Sequence, residues 1–273
     1  MLKWERIAKD FISVSVGKEF NGEPYYWTTF YYYKGLVIDS GCPHAAEEAA
    51  KFIEDMDLDV KAIFLTHHHE DHCGGAPIFR EKFGVEIIAP KKSLRVLAKP
   101  PEIPAYRRVV WGQPKPVKAT PVKEVSEVSG LTVKTFETPG HSFDSVSFLV
   151  EDRLFIGDLV TNPKPVIMMR NENLTETVNS VRKVASLDFE KAYGGHGFWD
   201  KKALIKFLDN IFALKTNVEA LRRKGLSTVQ IVDRLFSKVP DKVLQMEAAS
   251  QGEWSRENLV KALLEMKSEC WKT

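Results

Sequence analysis

Four of the chain's seven histidines fall within six consecutive residues, in the run Thr66-His67-His68-His69-Glu70-Asp71-His72-Cys73-Gly74-Gly75. A packed core gains little from so many polar groups, and a solvated loop has no need of so many imidazoles. Imidazole nitrogen and carboxylate oxygen together suit Zn²⁺, and also Fe or Mn, whereas four thiolates would indicate a structural zinc site. In an extended turn, His67, His69, Asp71 and His72 can converge, since only backbone bends separate them. His141 in TPGH, Asp158 in LFIGD and His196 in YGGHG occupy turns of the same kind.

Such residues need a frame that brings strand ends together. FISVSV alternates, YYWTTFYYY is aromatic and β-branched, and GLVIDSG is a short apolar run ending in turn residues, so strands are expected between Phe11 and Ser40. HAAEEAAKFIEDM has helical spacing, AIFLT reads as a buried strand, and the histidine run begins straight after it. PIFREKF resumes helical spacing with Pro77 in its first turn, and VEIIAP is another strand. LTVKTFETPG, SVSFLV and RLFIGDL give three more strands, ENLTETVNSVRKVASL a helix, and AYGGHG a short strand and turn. The polar clusters thus sit at strand ends, where open α/β sheets place ligands. After Asp200 the pattern becomes helical in KALIKFLDNIFALKTNVEALRRKG, STVQIVDRLFSKV and RENLVKALLEMKS, so a mixed α/β domain over 1–200 and a helical extension over 201–273 are expected.

With 273 residues, 44% hydrophobic and 28% charged, the composition is that of an ordinary globular protein. The formal net charge of +2 implies neither a nucleic-acid nor a membrane partner. The amino terminus lacks the apolar core of a secretory signal and no segment approaches a membrane span, which places the protein in the cytoplasm. Three scattered cysteines make no disulfide framework, in keeping with a reducing compartment. Between Pro90 and Pro121, eight basic side chains stand against one acid, leaving +7, and seven of the fourteen prolines lie there. The segment reads as a long surface loop whose charge would focus the field on an anionic substrate.

VIDSG, THHHEDHCGG, TPGH, IGD and GGHG occur in an order that resembles the metallo-β-lactamase-fold hydrolases, of the glyoxalase II and β-lactamase-like protein 2 type, over about residues 10 to 200. The resemblance implies a four-layer αβ/βα sandwich with a two-metal site at one edge and, here, a C-terminal helical appendage. It implies that His67, His69 and His141 hold one metal, that Asp71, His72 and His196 hold the second, and that Asp158 bridges them. Asp39 would orient the ligand loop, and Asp71 would also act catalytically by orienting the attacking water or accepting its proton. Two Zn²⁺ per chain are expected, with Fe or Mn also suited to the donors. Many such relatives have a further histidine where this chain has Ser145, a departure that bears on substrate handling.

A lone histidine is ordinarily a surface or satisfied core residue, but five histidines and two aspartates in family order reverse that expectation. His68 and Glu70 are expected to point away from the site, and His44 either walls the pocket or packs at a helix start. Cys42 and Cys73 read as buried small hydrophobes. The aromatic run reads as one strand's two packing faces. The resulting expectation is a metal-dependent hydrolase of an ester, thioester, lactone or related bond in a small, anionic substrate. A ribonuclease on the same metals, with RNA as partner, and a mononuclear-iron persulfide dioxygenase are the alternatives. The C-terminal helices are expected to serve packing or a homodimer; GLSTVQIVDRLF is similar to the helical tail of β-lactamase-like protein 2.

Overall fold

Thr28–Tyr33 sends alternate side chains to opposite faces of a sheet, and this alternation organises the packing around it. Phe30 and Tyr32 enter one apolar cluster while Tyr31 and Tyr33 enter another. The computed structural model of the chain describes residues 1–267. The chain divides into two units: Met1–Glu137 with Phe143–Asp158 and Phe189–Trp199, and Thr138–Ser142 with Leu159–Asp188 and the residues from Asp200 onward.

In the first unit a seven-stranded sheet runs in the order Leu2–Ala8, Phe11–Val16, Thr28–Tyr33, Leu36–Ile38, Ala62–Phe64, Glu86–Ala89, Thr120–Pro121. Its first four strands pair antiparallel as hairpins. From Leu36–Ile38 onward the pairing is parallel, because Ala46–Asp55 and Ala76–Phe83 are helices that carry the chain back between strands. These helices bury Ala49, Ile53 and Phe79 with Val14, Phe30, Ile63 and Ile87 on one face of the sheet. The other face meets a second sheet, ordered Val125–Val128, Leu131–Glu137, Val146–Val150, Arg153–Gly157, Lys191–Gly194, Gly197–Trp199. Phe11, Tyr31, Phe64, Val133, Phe148, Phe155 and Tyr193 fill the space between the two sheets.

The second unit holds the helices Leu174–Ala185, Lys201–Arg223, Thr228–Leu235, Asp241–Ala249 and Arg256–Glu265. Their starts follow from capping: Asp200 accepts from Ala203 N–H at 2.7 Å, and Ser227 with Gln230 forms a capping box. Lys215 is buried, its ammonium donating to the Leu263 carbonyl at 2.8 Å and facing Glu219 at 2.8 Å, which ties the long helix to the last one. Among the described residues no helix is long and apolar enough to cross a membrane.

The architecture is mixed α/β with C-terminal helices, as expected, and differs from the sequence reading in several places. Leu2–Ala8 is an exposed edge strand that its mixed charges concealed. Asp241–Ala249 is a further helix. The strand expected over the whole aromatic run starts only at Thr28, since Tyr25, Tyr26 and Trp27 lie outside the ladder. The proline-rich segment is not one loop: it contains the helices Leu94–Ala98 and Ala105–Val110, the latter starting after Pro104. Cys270 lies outside the described residues.

Phe11 is fully buried, with its ring 4.8 Å from Tyr193 and 5.2 Å from Tyr33 by centroid. Phe11→Ala is expected to cost about 3 to 5 kcal/mol, read as a shifted denaturant midpoint. A loss below about 1 kcal/mol would show that the space between the sheets refills without it.

Candidate metal centre

Leu36–Ile38 ends at Asp39, whose φ of +62° is a left-handed conformation that a non-glycine residue keeps only when its surroundings hold it there. Its N–H donates to the Phe64 carbonyl at 2.8 Å. Its carboxylate accepts from Thr66 N–H at 2.7 Å, from the Thr66 hydroxyl at 2.9 to 3.0 Å and from His72 Nδ1 at 2.8 Å. One buried carboxylate therefore joins two neighbouring strand ends to the histidine run.

These partners fix which ring nitrogen is offered to the site. An ionised carboxylate only accepts, so His72 carries its proton on Nδ1 and keeps Nε2 for another partner. The Thr66 hydroxyl spends its one proton on Asp39 and can only accept from His67 Nδ1, 3.0 Å away. His196 Nδ1 donates to the Trp27 carbonyl at 2.8 Å. In the second unit, His141 Nδ1 donates to Glu172 Oε1 at 2.6 Å, and the other oxygen of Glu172 accepts from Met169 N–H at 3.1 Å. All four imidazoles are thereby set to use Nε2, as metal-binding histidines do.

Asp71, His72, Asp158 and His196 come together in the first unit, each offering a ligand atom within 4.8 Å of the others. His72 Nε2 lies 3.2 Å from Asp158 Oδ1 and 3.5 Å from Asp71 Oδ2, and His196 Nε2 lies 3.3 Å from Asp158 Oδ2 and 3.5 Å from Asp71 Oδ2. His67 and His69 are buried beside them, with ring centroids 4.7 Å apart and His67 4.2 Å from His72. His141 is buried as well, in the turn Thr138–Ser142 of the second unit.

The charge balance of this cluster calls for a cation. Two nitrogen lone pairs aimed at two buried carboxylates repel unless a proton or a metal ion lies between them. Without an ion, protons take that place. Burial disfavours the charged form of His72, yet Asp158, Asp71 and Asp39 outweigh it and raise its pKa well above the ordinary value. Burial likewise opposes charge on His196, and Asp158 and Asp71 push its pKa up to about 10. Burial would raise Asp158, but His196 and His72 hold it well below the usual carboxylate range. A Cβ on Gly195 would lie 2.4 Å from His72 Cε1 and 2.6 Å from Asp158 Oδ1, so only glycine lets the backbone line this cradle. The donor set, its aimed nitrogens and the close backbone at Gly195 fit a transition-metal ion.

Around the ligands, sequence reasoning found some supports and missed others. Asp39 holds the ligand loop as expected. Thr66, Asp144, Glu172 and the Trp27 carbonyl were missed as supports; Thr66 opens the histidine motif and Asp144 lies just after TPGH, whereas Glu172 lies 31 residues from His141 and carries no local signal. His68 turns to Asp144, whose carboxylate takes its Nδ1 at 2.8 Å and its backbone N–H at 3.0 Å, and which also accepts from Ser93 at 2.5 Å. Glu70 also turns aside, but not to solvent: it is buried and accepts from Arg107 Nε at 2.6 Å and Nη2 at 2.7 Å. Burial works against the Arg107 charge, and Glu70 more than offsets it. Arg108 pairs with Glu102 and Lys92 faces Glu137 at 3.4 Å, so three of the segment's eight basic groups already have acidic partners. His44 lies against the Arg108 carbonyl at 2.9 Å, which makes it a loop anchor. Cys42 and Cys73 are buried, Cys73 donating to the His68 carbonyl at 3.1 Å.

Residues 33–196 match the family described as the metallo-beta-lactamase superfamily. The chain is 33% identical over 167 residues to the atrochrysone carboxyl ACP thioesterase of Aspergillus fumigatus, covering 59% of this chain and 47% of that protein. It is 32% identical over 123 residues to the hydroxyacylglutathione hydrolase of Thiobacillus denitrificans, covering 45% and 41%. The chain spans about half the length of the curated relatives it matches. A metallo-beta-lactamase family protein from Thermus thermophilus has the same fold, with a TM-score of 0.65 at 20% identity over 93% of this chain and 92% of that one.

Removing Arg107 leaves the Glu70 carboxylate buried beside the ligands. Arg107→Met is expected to cost about 3 to 5 kcal/mol, and pairing it with Glu70→Leu to recover most of that loss. Denaturant unfolding of both variants tests this; a single variant as stable as the parent would show that the ion pair holds nothing in place.

Proposed function

We propose that the chain, which belongs to the metallo-beta-lactamase superfamily, is a metal-dependent hydrolase that cleaves a thioester or a related ester or lactone bond. The observation that carries this reading is the convergence of Asp71, His72, Asp158 and His196, with both Nε2 atoms aimed at carboxylate oxygens 3.2 to 3.5 Å away. Two relatives named for thioester chemistry, the thioesterase and the hydroxyacylglutathione hydrolase, favour a thioester among the candidate bonds.

On this reading Asp71, His72 and His196 hold one ion. By the family resemblance His67, His69 and His141, each buried, would hold a second, with Asp158 taking part in both. Zinc suits these nitrogen and oxygen donors, as do iron and manganese. When bound, such ions supply Lewis acidity and make water acidic enough to attack near neutral pH. Asp71, accepting only, orients the attacking water through one of its hydrogens, and Asp39 keeps His72 in the tautomer the site needs. An anionic substrate is favoured by the basic side chains of the 90–121 segment, Lys91, Arg95, Lys99, Lys115 and Lys118.

Parallel assays on an acyl thioester, a lactone and single-stranded RNA test the reading, with metal analysis alongside. Thioester turnover is expected to vanish on exhaustive chelation and to return with zinc at about two ions per chain. Turnover that survives chelation would sink it, and a single iron per chain would point to oxygen chemistry instead. Asp39→Asn is expected to weaken zinc affinity by about 10- to 100-fold, since it loosens the hold on His72; an unaltered zinc titration would remove that role.

Ion binding should also expel protons. His72 and His196 both have raised pKa values in the ion-free protein, His196 at about 10, so both are protonated at pH 7 and must lose that proton to ligate. Zinc affinity is therefore expected to rise with pH towards 10. Calorimetric titrations in two buffers of different ionisation heat should give different apparent enthalpies, and identical enthalpies would contradict the assignment.

A further inference from the structure

We propose that Tyr26 and Trp111 form an acyl-binding wall beside the candidate metal centre, suited to a flat aromatic or conjugated acyl group. The chemistry rests on the hydrolase reading; the place of the wall rests on geometry alone. The Trp111 ring lies 6.5 Å by centroid from that of His196, a residue of the cation cluster, with the planes tilted by 37°. Tyr26 lies 6.2 Å beyond Trp111, and Tyr25 5.2 Å beyond Tyr26. Successive ring contacts thus connect His196 to Trp111, Tyr26 and Tyr25.

This row differs from the aromatic packing between the sheets, where Phe11, Tyr31 and Phe155 are fully enclosed. Tyr26 and Trp111 are only half-buried and Tyr25 is exposed, so this group of rings reaches solvent. The run that supplies Tyr26 leaves the sheet before Thr28, and the Trp27 carbonyl orients His196. One short stretch of chain therefore provides both a ring of the wall and the anchor of an adjacent ligand.

The wall is rigid. Trp111 N–H donates to the Arg107 carbonyl at 2.7 Å, its carbonyl accepts from His44 N–H at 3.0 Å, and Arg107 is locked onto Glu70. Gly112, at φ +100°, packs so closely that a Cβ there would lie 2.9 Å from Pro43. An aromatic surface fixed in advance binds a flat partner without an ordering cost, and offset stacking operates at centroid separations of about 4.5 to 7 Å. With the reacting carbonyl at the cluster, its acyl substituent would lie along Trp111.

The test compares binding of two product-like carboxylates, 2-naphthoate and cyclohexanecarboxylate, to the zinc-loaded full chain by calorimetry. A parallel assay measures kcat/KM for the corresponding naphthoyl and cyclohexanecarbonyl thioesters. The parent protein is expected to prefer the flat ligand by about tenfold, the scale of one good aromatic contact. Trp111→Ala should reduce that preference to about twofold and Trp111→Phe should retain most of it. If Trp111→Ala does not fold, Tyr26→Leu and Trp111→Phe carry the comparison, and Tyr26→Leu is expected to lower the preference. An unchanged ratio in folded Trp111→Ala or Tyr26→Leu overturns the wall. If the binding ratios behave as stated but neither thioester is cleaved, the thioester assignment falls and the wall stands.

Discussion

The site depends on one buried carboxylate. Asp39 sits at a strand end in a backbone conformation its side chain would ordinarily avoid, and receives Thr66 and His72 together. Because it only accepts, it decides which nitrogen of His72 bears a proton, and through the Thr66 hydroxyl it decides the same for His67. Replacing it with a group that cannot accept, or that can donate as well, would leave the choice of protonated nitrogen in those rings open.

The same economy recurs around the site. The Trp27 carbonyl sets His196, and Glu172 sets His141 within the second unit. Each of these rings has a fixed oxygen at its Nδ1, which leaves Nε2 as the atom that could take a cation. The cost is an ion-free cluster in which carboxylates face lone pairs, and protonation of His72 and His196 relieves it. A site of this kind carries its affinity for cations in its own unbalanced electrostatics.

The 90–121 segment changes meaning between sequence and structure. As a string it is a basic, proline-rich stretch whose natural reading is a long-range field. Folded, its Arg107 is committed to Glu70, between two ligand positions, and its Arg108 to Glu102. Part of its charge thus serves local anchoring, and the anchored helix leads directly to Trp111 beside His196. Like charges counted along a chain overstate the field when their counter-charges come from elsewhere in the fold.

Residue types and spacing were enough to mark the cluster. His67, His69, Asp71, His72, Asp158 and His196 stood out because polar side chains at strand ends are costly without a task, and the alternating pattern of the first sheet was plain in FISVSV and GLVIDSG. Ring orientation was beyond the sequence. The partners that impose it, such as Trp27 for His196 or Glu172 for His141, are distant in the chain and ordinary in type, and a backbone carbonyl leaves no trace in a residue string. Likewise the sequence said of Glu70 only that it points away from the site, and the arginine 37 residues away that meets it in the interior was out of its reach. Short-range chemistry writes itself into composition and periodicity, whereas the pairing of buried charges is settled only when tertiary packing removes water from both.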